Sequence, residues 1–332
     1  MNNFLDKIKK QIPVPKIICF DHAGIDISSD HIRHINFKKH NGKLTVDKYG
    51  KENFPISINK KLLLSENTNT IEILNKIQKE FKYRYVEVSL PEEVAYVYTQ
   101  EVADGDTETI RGQIEFKIEE NVPLTADEAV FDFVNVVLLK NNNRLVSVSV
   151  VAKKVIEDYI EVFQKANMKV VSFLTQNQAL SKSLVNKNDI NTYCIVNIEK
   201  KYIVVSIVAS GVVLYTSTIN KTLFDENLNT QRKEILEEVI KDIYRIIIFW
   251  ISYTEENETY GLNKIKSIII SSTHSNIIES DFINMMTDKL ALQIDKPNVW
   301  VNAFDLNNEI PPIVKIESYQ YATAIGLALS KL

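Results

Sequence analysis

Apolar and polar residues alternate over residues 23–28, 31–39 and 44–51. A period of two predicts three consecutive short strands joined by tight turns. The period then changes: Ile71, Leu74, Ile77 and Phe81 recur at helical spacing, and residues 85–90 alternate again until Pro91 stops the strand. Further on, Val155, Tyr159 and Phe163, with Ile156 and Ile160 beside them, mark a helix, followed by a strand over 169–174 and a helix over 176–184. The order then starts again. Residues 192–198, 202–208 and 212–219 predict three strands, and Leu236, Val239, Ile243, Ile246 and Trp250 form the core stripe of a long helix from 232 to about 253. A strand over 266–271, a helix over 275–290, a strand over 291–294 and a closing helix from Ser318 complete the second half. Each half reads strand-strand-strand-helix-strand-helix-strand-helix, an internal duplication that predicts an α/β protein with a cleft between two lobes.

One block falls outside that unit. Between Leu90 and Lys153 lie about 60 residues, too many for a plain loop. Ile110, Ile114 and Ile118 share one helix face, and Pro123 ends that helix. Two strands follow over 129–139 and 144–152, joined by Asn141, Asn142 and Asn143 as a hairpin turn. The block reads as a small strand-helix-strand-strand subdomain inserted in the first lobe. The expected division is a leader at 1–15, the first lobe at 16–90 and 153–188, the insert at 91–152, and the second lobe at 189–332.

Composition narrows the chemistry. A net charge of -4 over 332 residues argues against a strongly basic nucleic-acid binder. Glycine is scarce, 8 in all, where average usage would place roughly 23. No two glycines are adjacent, so a glycine-glycine loop for phosphate or adenine is absent. Cys19 and Cys194 sit in apolar runs and read as buried, inert thiols. Phe4, Leu5 and Ile8 with Lys7, Lys9 and Lys10 make a short basic turn that reads as a solvated cap. The run from Ile246 to Ile251 is far below the ~20 residues a membrane span needs, so membrane association is expected to be indirect. His22, His31, His34 and His40 look like a cluster, but strand residues three apart face opposite ways. Surface or strand-edge histidines are the expectation, with no metal site. No P-loop and no glycine-flanked nucleophilic serine is present.

The stretch GIDISSDHIRHINF (residues 24–37), Val86-Glu-Val-Ser-Leu-Pro91, the run 114–124 with Asp127, Glu128 and Phe131-Asp-Phe133, Val151-Ala-Lys153 with Tyr159, and Ala324-Ile-Gly-Leu-Ala328 occur in a characteristic order. The ordered set resembles the actin-like (ribonuclease H-like) family and, more narrowly, the PilM family of type IV pilus assembly proteins. FtsA, the division-septum relative, shares the inserted-subdomain layout. The resemblance implies a duplicated two-lobe fold whose cleft would take ATP with Mg²⁺, and it places Asp26, Ser28, Ser29, Asn197, Ser272 and Thr273 at the nucleotide loops. Three departures stand out. The family has glycine where Ser28 stands, an aspartate and a glycine where Asn197 and Glu199 stand, and paired glycines where Ser271-Ser272-Thr273 stands. The segment after Ile219 is also short, a reduced second-lobe insertion.

Backbone amides approach phosphate closely only where no Cβ intervenes. Glu199 would bring negative charge near a polyphosphate, and a like-charge pair at 4 Å costs on the order of 1 to 4 kcal/mol. Asn197 is a poorer partner than carboxylate for a hard cation. The expectation is therefore a pseudo-ATPase with no required cofactor and no hydrolysis. The resemblance then implies a non-catalytic adaptor, cytoplasmic and peripheral at the inner face of the membrane, that contacts the pilus platform proteins and the assembly ATPase. It implies binding of the cytoplasmic tail of PilN in a groove walled by Val86, Val88, Leu90, Ile114, Ile118 and Val122. The alternatives are a nucleotide-dependent actin-like ATPase switch and an FtsA-like membrane-tethering protein. The latter would need an amphipathic helix beyond the closing one, which ends near Leu332.

Overall fold

The computed structural model describes residues 21–40, 43–54, 63–221, 232–256, 262, 264–273 and 281–330. The expected leader, Cys19, the segment before the long second-lobe helix and the first residues of the helix predicted from 275 lie outside them.

Strands β1 (Ala23–Ile27), β2 (His31–His40) and β3 (Lys43–Asn53) form an antiparallel meander. Helix α1 (Thr68–Phe81) leads into β4 (Tyr85–Leu90), which lies parallel to β1. Asn67 starts α1 by accepting the Asn69 N–H on its side chain, and Lys82 ends it in the left-handed region at φ 59°. Leu74 and Ile77 of α1 are buried on the sheet. The insert then departs with β5 (Ala95–Ala103), a strand the sequence pattern predicted without bounds. Helices α2 (Thr107–Phe116) and α3 (Ile118–Asn121) follow, then β6 (Ala129–Leu138) and β7 (Asn143–Ala152), which pair as an antiparallel sheet ordered β5-β7-β6. The single helix expected over 110–122 is broken at Lys117, whose N–H bonds to the Ile114 carbonyl and tightens the turn. The β6–β7 turn has the predicted chemistry: Asn142 takes φ 65°, and the Asn141 side chain accepts the Asn143 N–H at 3.0 Å.

Helix α4 (Lys153–Lys165), β8 (Lys169–Thr175) and α5 (Gln176–Leu184) finish the first half, with β8 parallel to β4. The second half repeats the plan. Strands β9 (Thr192–Ile198), β10 (Ile203–Ala209) and β11 (Val212–Ile219) form the meander, and α6 (Arg232–Glu256) leads to β12 (Ile265–Ser272), parallel to β9. Helix α7 (Asp281–Leu290), β13 (Ile294–Asp295), α8 (Lys315–Ser318), a 3₁₀ turn at Tyr319–Tyr321 and α9 (Ala322–Leu329) complete it. The two five-stranded sheets have matching orders, β3-β2-β1-β4-β8 and β11-β10-β9-β12-β13. Strand β13 is shorter and later than the 291–294 expected, because Ala291 adopts φ 49° directly after α7 and cannot extend there.

Strand β9 is buried along its whole length, as expected for a central strand covered on both faces. Its Cys194 thiol is pushed up to about 12 by burial, which makes it inert at neutral pH. Helices α5 and α9 cross closely between the halves. A Cβ on Gly326 would lie 1.8 Å from the Ala179 carbonyl oxygen, and one on Gly24 would lie 2.1 Å from that of Ala324. These two glycines therefore serve backbone contact within the protein. No helix among the described residues is long and apolar enough to cross a membrane.

Candidate functional site

The β1–β2 hairpin places Asp26 directly opposite Arg33, so both side chains share one face. Asp26 is buried, and its Oδ1 accepts from the Ser89 hydroxyl at 2.7 Å and from Gln176 Nε2 at 3.4 Å. Ser89 lies near the end of β4 and Gln176 at the start of α5, so three elements of the first half meet at this carboxylate.

The turn between β1 and β2 consumes its own polar groups. The Ser28 N–H donates to the His31 carbonyl at 2.9 Å, and the Ser28 hydroxyl lies 2.9 Å from that same carbonyl and 3.1 Å from Asp30 Oδ1. The hydroxyl also accepts the His31 N–H at 3.2 Å. Ser28 is fully buried while Ser29 is half-buried. The turn between β9 and β10 closes with the Glu199 N–H donating to the Tyr202 carbonyl at 3.0 Å, and Asn197 Nδ2 lies 3.4 Å from Glu199 Oε1. At the end of β12 the Ser272 hydroxyl donates to the Ile198 carbonyl at 2.9 Å.

Arg33 joins these loops. Its Nη2 donates to Gln320 Oε1 at 3.0 Å and reaches the Thr273 carbonyl at 3.5 Å, while Nη1 contacts His31. Burial pushes the guanidinium down from its usual range, and Asp26, Glu199 and Asp30 pull it back up. Of the six residues expected at the nucleotide loops, Asp26, Ser28, Asn197, Ser272 and Thr273 thus lie on neighbouring turns linked through Arg33 and the Ile198 carbonyl, and Ser29 sits half-buried in the first of these turns. Arg33, Ser89, Gln176 and Gln320 complete the site and were missed by the sequence reading. Arg33 was readable in principle: a turn that pairs Ile27 with Ile32 necessarily sets Asp26 against Arg33.

The histidines are a correction. His22, His31 and His34 are buried, where surface or strand-edge positions were expected; the side chain of His40 is outside the described residues. His31 turns toward Asp30 and Arg33, whereas His34 Nδ1 faces the Tyr83 hydroxyl at 3.0 Å and its ring packs edge-on to Phe81. Burial lowers both from 6.5 to about 4. Beside the cleft, Glu92 is buried at the N-terminus of α5, accepts the Asn177 N–H at 2.8 Å, and is pushed up to about 7 by burial. Among the described residues no group of three or more His, Cys, Asp or Glu is placed to hold a metal ion.

The expected peptide groove is also corrected. Val86, Val88 and Leu90 are buried in the apolar core of the first lobe, and Ile114, Ile118 and Val122 in the separate core of the insert. Strand residues covered by α1 and α4, and a helix face pressed on its own sheet, leave no side-chain surface for a ligand. What the insert does expose is β6, an edge strand with Val130, Val134, Val137 and Leu138 each at least 40% exposed.

Comparison with known proteins agrees with this architecture. The solved PilM-PilN type IV pilus biogenesis complex superposes with a TM-score of 0.71 at 13% identity, covering 94% of this chain and 98% of that one. The cytoplasmic domain of EpsL, an inner-membrane component of the type II secretion system of Vibrio cholerae, reaches a TM-score of 0.46 at 8% identity, covering 76% and 82% of the two chains. Ethanolamine utilization protein EutJ from Carboxydothermus hydrogenoformans reaches 0.47 at 11% identity, covering 96% and 91%. The search of curated proteins finds no match. The duplicated sheet order with its insert is the actin-like fold. The family of type IV pilus assembly protein PilM matches residues 24–224, more than half of the sequence, and the chain belongs to that family.

Proposed function

We propose that this protein is a non-catalytic adaptor of type IV pilus assembly, working at the cytoplasmic face of the inner membrane without bound nucleotide. The observation that carries the reading is the state of the cleft. The Ser28 and Ser272 hydroxyls are engaged by backbone groups of neighbouring turns, Glu199 is buried beside Asn197, and a buried guanidinium spans the gap. These side chains do not fit Mg-ATP. Close amide approach is blocked at Ser28, the metal-side carboxylate is an amide at Asn197, and a second acid replaces bare backbone. Calorimetry with Mg-ATP is expected to give no heat of binding up to millimolar nucleotide; micromolar affinity would overturn the reading.

A solved relative supports the choice of partner. The matched structure is a complex of PilM with PilN, and we propose that this chain takes the cytoplasmic tail of a PilN-like membrane protein and relays its state to the platform and the assembly ATPase. The exposed edge of β6 supports strand addition, in which an extended tail displaces the Arg111 side chain from the Phe131 carbonyl and the Asp132 carboxylate from the Phe133 N–H, pairs with that backbone and sets alternate side chains on Val130 and Val134. Val134→Asp is expected to weaken binding of a PilN-tail peptide from the same organism at least tenfold, with the unfolding midpoint unchanged. Undiminished binding would remove β6 from the interface. Ile114→Asp tests something else: it buries a charge in the insert core and is expected to unfold the insert.

A further inference from the structure

We propose that Arg33 acts as a tethered cation that clamps the two lobes across the cleft, so that closure is built into the chain and needs no ligand. This rests on the reading that the cleft holds no nucleotide. Arg33 belongs to β2 of the first sheet, yet its two longest-range contacts are the Thr273 carbonyl, 240 residues away after β12, and Gln320, 287 residues away in the 3₁₀ turn before α9. The Thr273 carbonyl directly follows β12 of the second sheet, and Gln320 sits in a turn wedged between β2 and β12, at the seam of the two sheets. The guanidinium is planar and carries its donors in a fork, which suits it to join several acceptors held by different elements. It is 1% exposed. A buried cation is tolerated only with compensating acid charge and hydrogen bonds, and Asp26 stands opposite it in the hairpin.

The surroundings fit a clamp better than a surface pairing. The neighbouring residue Tyr321 packs edge-on against Tyr49 of β3, with ring centroids 5.8 Å apart, and so supports the same junction. By contrast, the Lys43–Glu309 ion pair that also joins the halves is largely exposed on its lysine, where such pairs contribute little. With Arg33 removed, the junction loses its donor fork and Asp26 loses its cross-strand partner. A free guanidinium ion has the right charge and donor geometry to enter the vacated space.

The test uses the full chain carrying spin labels at Lys79→Cys on α1 and Lys241→Cys on α6, both exposed positions, with Cys19→Ser. Pulsed dipolar spectroscopy is expected to give one narrow interlobe distance. Arg33→Ala is expected to broaden it toward longer separations and to lower the unfolding midpoint by roughly 10 °C. Millimolar guanidinium is expected to narrow the distribution again, and Arg33→Lys to give an intermediate width. If Arg33→Ala does not fold, Gln320→Leu, which keeps the charge and removes the acceptor, is expected to broaden the distribution on its own. A wild-type distribution in whichever of these variants is measured, or no response of Arg33→Ala to guanidinium, overturns the clamp. A shift of the unsubstituted protein on adding Mg-ATP overturns the nucleotide-free reading instead, and the Arg33 arm then still decides the clamp.

Discussion

Gly326→Ala is expected to destabilise the protein by about 3 kcal/mol, although alanine is the better helix former. In an open helix the exchange stabilises by about 1 kcal/mol. At Gly326 in α9 the new Cβ would stand 1.8 Å from the backbone oxygen of Ala179 in α5, and a backbone carbonyl cannot swing aside as a side chain would. The two helices must move apart, at the upper end of the usual cost of overpacking. Gly112 in α2 is the matched control, since a Cβ there meets nothing within 4 Å. Gly112→Ala is expected to stabilise by about 1 kcal/mol. Denaturant unfolding of both variants checks the pair, and equal effects at the two positions would show that α5 and α9 do not touch as described. Among the described glycines, those where a Cβ would strike neighbouring backbone, Gly24 and Gly326, join protein to protein.

Acid is expected to weaken the fold well above the range where carboxylates titrate, with two opposing contributions. His31 and His34 have folded values near 4 against 6.5 unfolded, lowered first by burial. The unfolded chain therefore binds more protons as pH falls through 6.5, so stability is full above that value and is lost on the way down to 4. By pH 5 the loss relative to pH 7.5 is about 2 kcal/mol for each histidine. Glu92 acts the other way. Burial raises its folded value to about 7 from 4.5, so the folded state gains the proton first and stability rises as pH falls through 7. By pH 5 this offsets about 2 kcal/mol of the histidine loss. The unsubstituted protein is then expected to lose about 2 kcal/mol between pH 7.5 and 5, and Glu92→Gln about 4. His34→Leu is expected to bring the dependence close to flat over the same interval. Unfolding free energies at the two pH values decide it, and a Glu92→Gln profile parallel to that of the starting protein would sink the assignment.

The strand and helix pattern was legible because burial on these elements follows local periods. Residues 85–90, 176–184, 192–198 and 212–219 needed only the alternation or helical spacing in the chain, and the structure has β4, α5, β9 and β11 there with the same bounds. The duplication was legible for the same reason, since each half repeats the order of periods. Strand β5 went unplaced because its Tyr96, Tyr98 and Gln100 blur the alternation; they lie on the insert's face toward α2 and are only partly apolar. The histidines misled because a polar side chain in a strand shows nothing in sequence of which neighbours enclose it. His34 is buried by Phe81 and Tyr83, which lie more than forty residues later.

The sequence by itself determined the duplicated α/β plan, the presence of an insert, and the scarcity of glycine, since each of these is carried by local period or by residue type alone. Tertiary structure decided what fills the cleft and which surfaces stay open. Arg33 acquires its role from Thr273 and Gln320, far along the chain, and the valines and isoleucines first read as groove walls became core once their own sheets and helices covered them. Side-chain enclosure is a property of contacts between distant segments, and no local pattern encodes it.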